Sequence, residues 1–376
     1  MADPRYSSAR EVAPKITTHF ERHLAALFPG PSRVADAPSE ADVEALIDAA
    51  FWASLRREEG YLPRISLALV PAARSIRPLL FRRPLPLSPM GLVRVAPAVE
   101  RPGIHLGAWR DEGVLQVWGT TRVIPSYSMV LEVAAPGLLV VKHHRGDGGK
   151  YVNVAVLEGD RIKMIDERAS TLPDRPALVT SLLGFESNGW SAQLTVLIEL
   201  AVSMRAHGRG GMILMVPATS PSWRESIVEP IAYSVEPVFT GLADLVRRAD
   251  TSSHEREWQD EMRDTVSAVA GLTAVDGATV ITEHFDLVAF GAKISRREGY
   301  PLVETTAVTE PIEGADAVVV HPSRLGGTRH LSAAQFVHDQ RDALALVASQ
   351  DGRFTIFAWS PREEMVHAHR VETLLL

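Results

Sequence analysis

The chain contains no cysteine. Disulfides, thiolate zinc sites and thiol nucleophiles are therefore all excluded, and a reducing, cytoplasmic location is expected. No apolar run approaches the roughly 18 residues needed to cross a bilayer. The opening Met1-Ala2-Asp3-Pro4-Arg5 is polar and lacks the apolar core of a secretory signal. A soluble chain with no membrane partner is the expectation. Basic residues are in the minority, 39 Lys and Arg against 46 Asp and Glu, for a net charge of −7. Broad, sequence-independent nucleic-acid binding needs a basic surface, so nucleic acid is not expected as a partner. A local basic pocket is still allowed.

Against these absences stand 376 residues, 46% of them hydrophobic and 23% charged, enough for two sizeable cores. Helical spacing of Ile16, Phe20, Leu24 and Leu27 opens the chain, and Pro29 to Pro38 interrupts it. A helix from Glu40 to Arg57 follows, with Val43, Leu46, Ile47, Ala50, Phe51 and Leu55 on one face. Glu40 and Asp42 suit its first turn. Ile65–Val70 reads as a buried strand between prolines. The stretch 72–90 is rich in proline and arginine, with Arg77, Arg82 and Arg83; a solvated loop is the expectation, an acidic partner the alternative. Short strands are expected from Leu92 to Asp166, with turns at Asp111-Glu112-Gly113 and Glu158-Gly159-Asp160. His143-His144-Arg145 has no spaced third metal ligand and is expected to be an exposed loop.

A mixed linker over 167–190 separates a strand-rich region, 1–185, from a second domain, 190–376. Helices are expected over Ser191–Ala206, Phe239–Arg248, His254–Ala270 and Ala333–Gln340. Strands are expected at Met212–Val216, Thr279–Thr282, Leu287–Phe290, Ala317–Val320, Leu344–Ala348 and Phe354–Phe357. Helices interleaved with strands predict an α/β or α+β fold, a mixed sheet flanked by helices. One echo runs through the chain. Ala53-Ser54-Leu55-Arg56, a glycine and Ile65–Pro71 resemble Val202-Ser203-Met204-Arg205, glycines and Met212–Pro217, so the first region could be a degenerate copy of the second.

Three short motifs carry the chemistry. The central one is Leu325-Gly326-Gly327-Thr328-Arg329-His330-Leu331-Ser332. Its glycines let a backbone approach a ligand, and Thr328 and Arg329 offer donors where a helix begins, a position that favours anions. Upstream is Val275-Asp276-Gly277-Ala278 and downstream Ser349-Gln350-Asp351-Gly352. Read from the residues, the first is a phosphate-binding turn.

In this order the motifs resemble the diadenylate cyclase domain, the DisA-type nucleotide-cyclising family, over residues 190–360. The resemblance implies that Asp276 is the catalytic carboxylate and ligand to Mg²⁺ or Mn²⁺. It also implies that Gly277, Ala278, Gly327, Thr328, Arg329, His330, Ser332 and Ser349 hold the nucleotide. Leu331 departs from the family's usual Arg-His-Arg, and Gln350 stands where many members have a metal-binding glutamate. The loss of a cation tips the expectation from an active cyclase making cyclic di-AMP from two ATP toward a nucleotide sensor in bacterial signalling or defence. Its partner would be ATP or a cyclic dinucleotide. Two facing sites would require a homodimer, or a pseudo-dimer of the two halves of one chain.

Overall fold

The computed structural model describes residues 4–27, 37–58, 60–144, 151–166, 176, 179, 192–252 and 256–376. The chain divides into two compact units, Met1–Ile165 with Leu376, and Asp166–Leu375. Each unit is built on one mixed sheet with helices against it, an α+β fold.

In the first unit, α1 (Ser7–Leu27) and α2 (Glu40–Ser54) lead into β1 (Ser66–Leu69) and β2 (Leu79–Pro86). Then come α3 (Pro89–Val95), β3 (His105–Asp111), β4 (Val114–Thr121), β5 (Met129–Ala135), β6 (Leu138–His144), β7 (Tyr151–Glu158) and β8 (Arg161–Met164). Helix α2 starts where the sequence directs it. The Ser39 hydroxyl accepts from the Asp42 N–H at 3.2 Å, and Glu40 and Asp42 face the positive end of the helix dipole. The helices bury Ile16, Phe20, Leu46 and Ile47 against Leu67, Leu106, Leu131 and Leu139 of the sheet. Burying each such side chain contributes about 1.5–3 kcal/mol.

The second unit holds α4 (Ala192–Ala206), β9 (Gly211–Val216), β10 (Tyr233–Phe239), α5 (Gly241–Ser252) and α6 (Arg256–Leu272). It continues with β11 (Ala278–Thr282), β12 (Leu287–Ala292), β13 (Thr306–Thr309), β14 (Val318–Val320) and α7 (Thr328–Asp339). The last strands are β15 (Leu344–Ala348), β16 (Phe354–Ser360) and β17 (Met365–Arg370). Strand β9 is apolar throughout because both its faces are covered. Ile213 joins α4–α6 in one core, while Met212, Leu214 and Val216 join Phe336 and Val337 of α7 in the other. Strand β15 alternates likewise, Leu346 toward the first core and Ala345 and Val347 toward the second.

The two sheets repeat one pattern. Strands β2, β4, β3, β1, β5, β6 and β7 lie in the order of β10, β12, β11, β9, β15, β16 and β17. In both sheets the third and fourth of these pair in parallel and the other neighbours antiparallel. The difference is an insertion. In the first unit residues 122–128 link β4 to β5, whereas in the second β13, β14 and α7 stand between β12 and β15.

Several expectations need correcting. Residues 79–86 are not a loop but an edge strand, β2, whose main chain pairs with β4 while its side chains stay largely exposed. Helix α3 was not expected; it is capped by the Ser88 hydroxyl, which accepts from the Gly91 N–H at 3.1 Å. Strands β10, β13 and β17 were also missed, and α7 begins at Thr328 rather than Ala333. His143 and His144 belong to β6, and His143 is buried against Tyr127, with ring centroids 5.5 Å apart. Arg145, most of the 167–190 linker and most of the Pro29–Pro38 break lie outside the described residues.

Candidate functional site

A cavity of about 790 Å³ opens in the second unit, where the start of α7 meets the ends of several strands. Of the residues singled out by the motifs, Asp276, Gly277, Gly327, Thr328, Arg329, His330, Ser332 and Ser349 line it. Segments up to about seventy residues apart in sequence are therefore brought to one place. Ala278 is the exception: it is fully buried as the first residue of β11, in the core rather than at the cavity.

Helix α7 begins at the glycine turn. Gly327 is its N-cap in extended conformation and supplies no side-chain cap, so the helix presents its first N–H groups at the cavity. Gly326 has a steric reason to be bare. A Cβ there would meet His330 Nδ1 at 2.5 Å. The His330 ring is buried and packs edge-on to Phe357. Burial, followed by the nearby Arg370 guanidinium, holds its pKa below the ordinary histidine value, so the ring is neutral at physiological pH.

The charged side chains were only partly foreseen. Lys293, just after β12, and Arg353, just before β16, line the cavity beside Arg329. Asp276 and Asp351 line it too. Asp276 is ion-paired with Lys293. Lys293 and, more weakly, Arg329 hold its carboxyl below the usual carboxylate range. Asp351 pairs with Arg353 at 3.3 Å and accepts from the Ser349 hydroxyl. Among the described residues, no carboxylate pairs with Arg329, leaving one guanidinium uncompensated at the mouth of the helix. Gly210 makes room for it, since a Cβ at that position would lie 3.0 Å from Arg329 Nη1. Gly210 has φ +69. The sequence marks it as a helix stop without revealing this second role.

Two motif residues serve the scaffold. Gly277, at φ +120, lies so close to Gly291 that a Cβ would sit 2.5 Å from its carbonyl carbon. The Ser349 hydroxyl accepts from the Arg353 N–H at 3.1 Å and shapes the β15–β16 turn. Leu331 is 37% exposed and is not part of the cavity lining.

The donor set can be weighed against the divalent metal that the motifs imply. Each lining carboxylate is already engaged by a cation, and no group of three His, Cys, Asp or Glu side chains among the described residues is arranged to hold a metal. Magnesium is commonly held by one or two carboxylates plus ligand phosphates. Asp276 could serve such an ion only by giving up Lys293.

The fold and cleft define an α+β protein of two units, the second with an anion-favouring cavity. Residues 32–122, from the approach to α2 through β4 of the first unit, match a family model described as a probable sensor domain, DACNV. A search of curated proteins finds no match to the chain. The match overturns the family assignment drawn from the motifs. The family model that matches is this sensor domain, over about a quarter of the chain, and not the DisA-type diadenylate cyclase domain. A sensor role agrees with it. No helix among the described residues is long and apolar enough to cross a membrane.

Proposed function

We propose that the protein is a sensor whose second unit binds a phosphorylated nucleotide in the cavity at the start of α7. The observation that carries this reading is the convergence of Arg329, without a carboxylate partner among the described residues, with the open first turn of α7 and two further cations, Lys293 and Arg353. Phosphate oxygens accept from guanidinium and from helix N-terminal N–H groups together, in a geometry neither supplies alone. Met212, Ala292, Ile294 and Leu325 give the same cavity an apolar wall, suited to the face of a purine ring. In this reading the ligand is ATP or a cyclic dinucleotide, and Asp276 is the counter-charge that keeps Lys293 in place before the anion arrives. Any Mg²⁺ or Mn²⁺ would enter with the phosphates. No catalytic step is required.

The test is calorimetric titration of the full chain with ATP, cyclic di-AMP and adenosine. Binding of a phosphorylated ligand, with adenosine far weaker, is expected. Arg329→Ala should weaken it by about 10–100-fold, as loss of a charge-assisted hydrogen bond costs roughly 1.5–3 kcal/mol. Failure of every phosphorylated ligand to bind, or binding indifferent to Arg329→Ala, would overturn the reading. Recovery of a cyclic dinucleotide from ATP would replace sensing with turnover.

A further inference from the structure

The arginine-rich stretch of the first unit has no role in the nucleotide cavity, and its placement is unusual. Strand β2 is the outermost strand of its sheet, so one side of its main chain has no neighbouring strand among the described residues. Between Leu80 and Leu85 its pairing with β4 slips, and Phe81-Arg82-Arg83-Pro84 bulge from the ladder. Arg77, Arg82 and Arg83 are exposed. Among the described residues none of the three has a carboxylate partner. Alongside them Ile76, Leu79 and Leu80 are each about 60% exposed. The Ile76 N–H donates to the Val123 carbonyl at 3.2 Å, which holds a further exposed apolar side chain beside Ile76.

An edge carrying charge is often only protection against aggregation. Protection does not account for three large apolar side chains on the same edge, where they invite association. We propose that the β2 edge is a docking site for an extended, acidic peptide segment of a partner protein. Main-chain pairing would add the segment as a strand, its acidic side chains would meet Arg82 and Arg83, and its apolar side chains would cover Leu79 and Leu80. Charge complementarity selects this occupant. A second copy pairing edge to edge would bring the arginines of both β2 strands together, which is unfavourable. Nucleic acid would leave the exposed leucines and isoleucine uncovered, and it would approach a chain of net charge −7.

The experiment uses the full chain and a fluorescein-labelled extended peptide with a block of adjacent valines and a block of adjacent glutamates, followed by fluorescence anisotropy. Each block presents its side chains on both faces of an added strand. Saturable binding that weakens with salt is expected. The double variant Arg82→Glu/Arg83→Glu should weaken it about tenfold or more, while Arg161→Glu, on the opposite edge strand β8, should leave it unchanged. Both variants alter exposed side chains, and unchanged melting would show that they fold. Equal binding of a lysine–valine peptide, or binding insensitive to the double reversal, would overturn the proposal. So would binding of a single-stranded oligonucleotide that depends on Arg82 and Arg83 while the acidic peptide does not bind. An arginine-dependent dimer that excludes the peptide would assign the edge to a second copy and also overturn it.

Discussion

Replacing Asp276 with asparagine sets two accounts of the cavity against each other, because they predict opposite signs. If Asp276 is a metal ligand, removing its charge weakens nucleotide binding and abolishes any dependence on Mg²⁺. If Asp276 is the counter-charge of Lys293, the substitution frees that ammonium for the incoming anion and removes a repulsion. The size of the gain follows from exposure. The Asp276 side chain is 91% exposed and that of Lys293 51% exposed, so both sit in a dielectric close to that of water. One charge removed at about 4–8 Å from a phosphate in such surroundings is worth roughly 0.5–1 kcal/mol, before screening by salt. Affinity should rise about two- to fivefold at low ionic strength, and the gain should shrink as salt is added. Titration calorimetry with ATP in Mg²⁺ and in EDTA, for the parent chain and Asp276→Asn, reads both quantities. Weaker binding by the variant, together with Mg²⁺-dependent binding by the parent, would refute the counter-charge account.

The glycines of the turn separate packing from binding. Gly326→Ala drives a Cβ to within 2.5 Å of His330 Nδ1, on a ring only 4% exposed; a stability loss of about 1–3 kcal/mol is expected by urea unfolding, with ligand affinity lost as well. Gly327→Ala meets nothing within 4 Å, so its melting temperature should stay within a few degrees of the parent's, and a large drop would contradict the geometry. Gly277→Ala combines φ +120 with a clash against the Gly291 backbone and should cost at least as much as Gly326→Ala. In the first unit, burial pushes the pKa of His105 down to about 4 from an ordinary 6.5. Its neutral ring contacts Ser66 Oγ and Tyr151 Oη, each at 2.7 Å. The unfolded chain therefore takes up this proton first. The stabilisation is complete above pH 6.5 and is lost as pH falls toward 4, by about 3 kcal/mol. Urea unfolding across that range should show the slope, and His105→Gln should flatten it.

Much of the cavity was legible because its residues occur in short runs whose types already suggest a job. Gly327, Thr328 and Arg329 are adjacent in sequence, and a glycine pair before a helical run states a helix start that can meet an anion. Lys293 and Arg353 carry no such signal. Each is a single cation just outside a strand, and only the pairing of β11 with β12 and of β15 with β16 brings them to the cavity. Long apolar strands such as β9 and β15 were readable for the same reason that they are buried. The missed β2 and β10 are edge strands containing proline, with exposed side chains and no apolar alternation. Their pairing rests on main-chain hydrogen bonds, which leave no pattern in residue type. Gly277 lines the cavity and is also bare because a neighbouring strand passes too close for any side chain, a packing demand that residue type alone does not announce.

The repeated strand order bears on where recognition resides. Both units present a parallel strand pair at corresponding positions, yet only the second inserts β13, β14 and α7 between the strands that follow. That insertion brings Gly326, Gly327, Thr328, Arg329 and His330, and with them the helix terminus and the uncompensated guanidinium. In the first unit residues 122–128 connect the corresponding strands and form no helix. The sensor-domain match and the cavity thus fall on different units, so the family's description does not by itself explain the cavity. If the shared sheet alone made an anion site, removing α7 chemistry would matter little. Arg329→Ala puts that directly to the test: retained nucleotide affinity would move recognition from the inserted helix to the sheet common to both units.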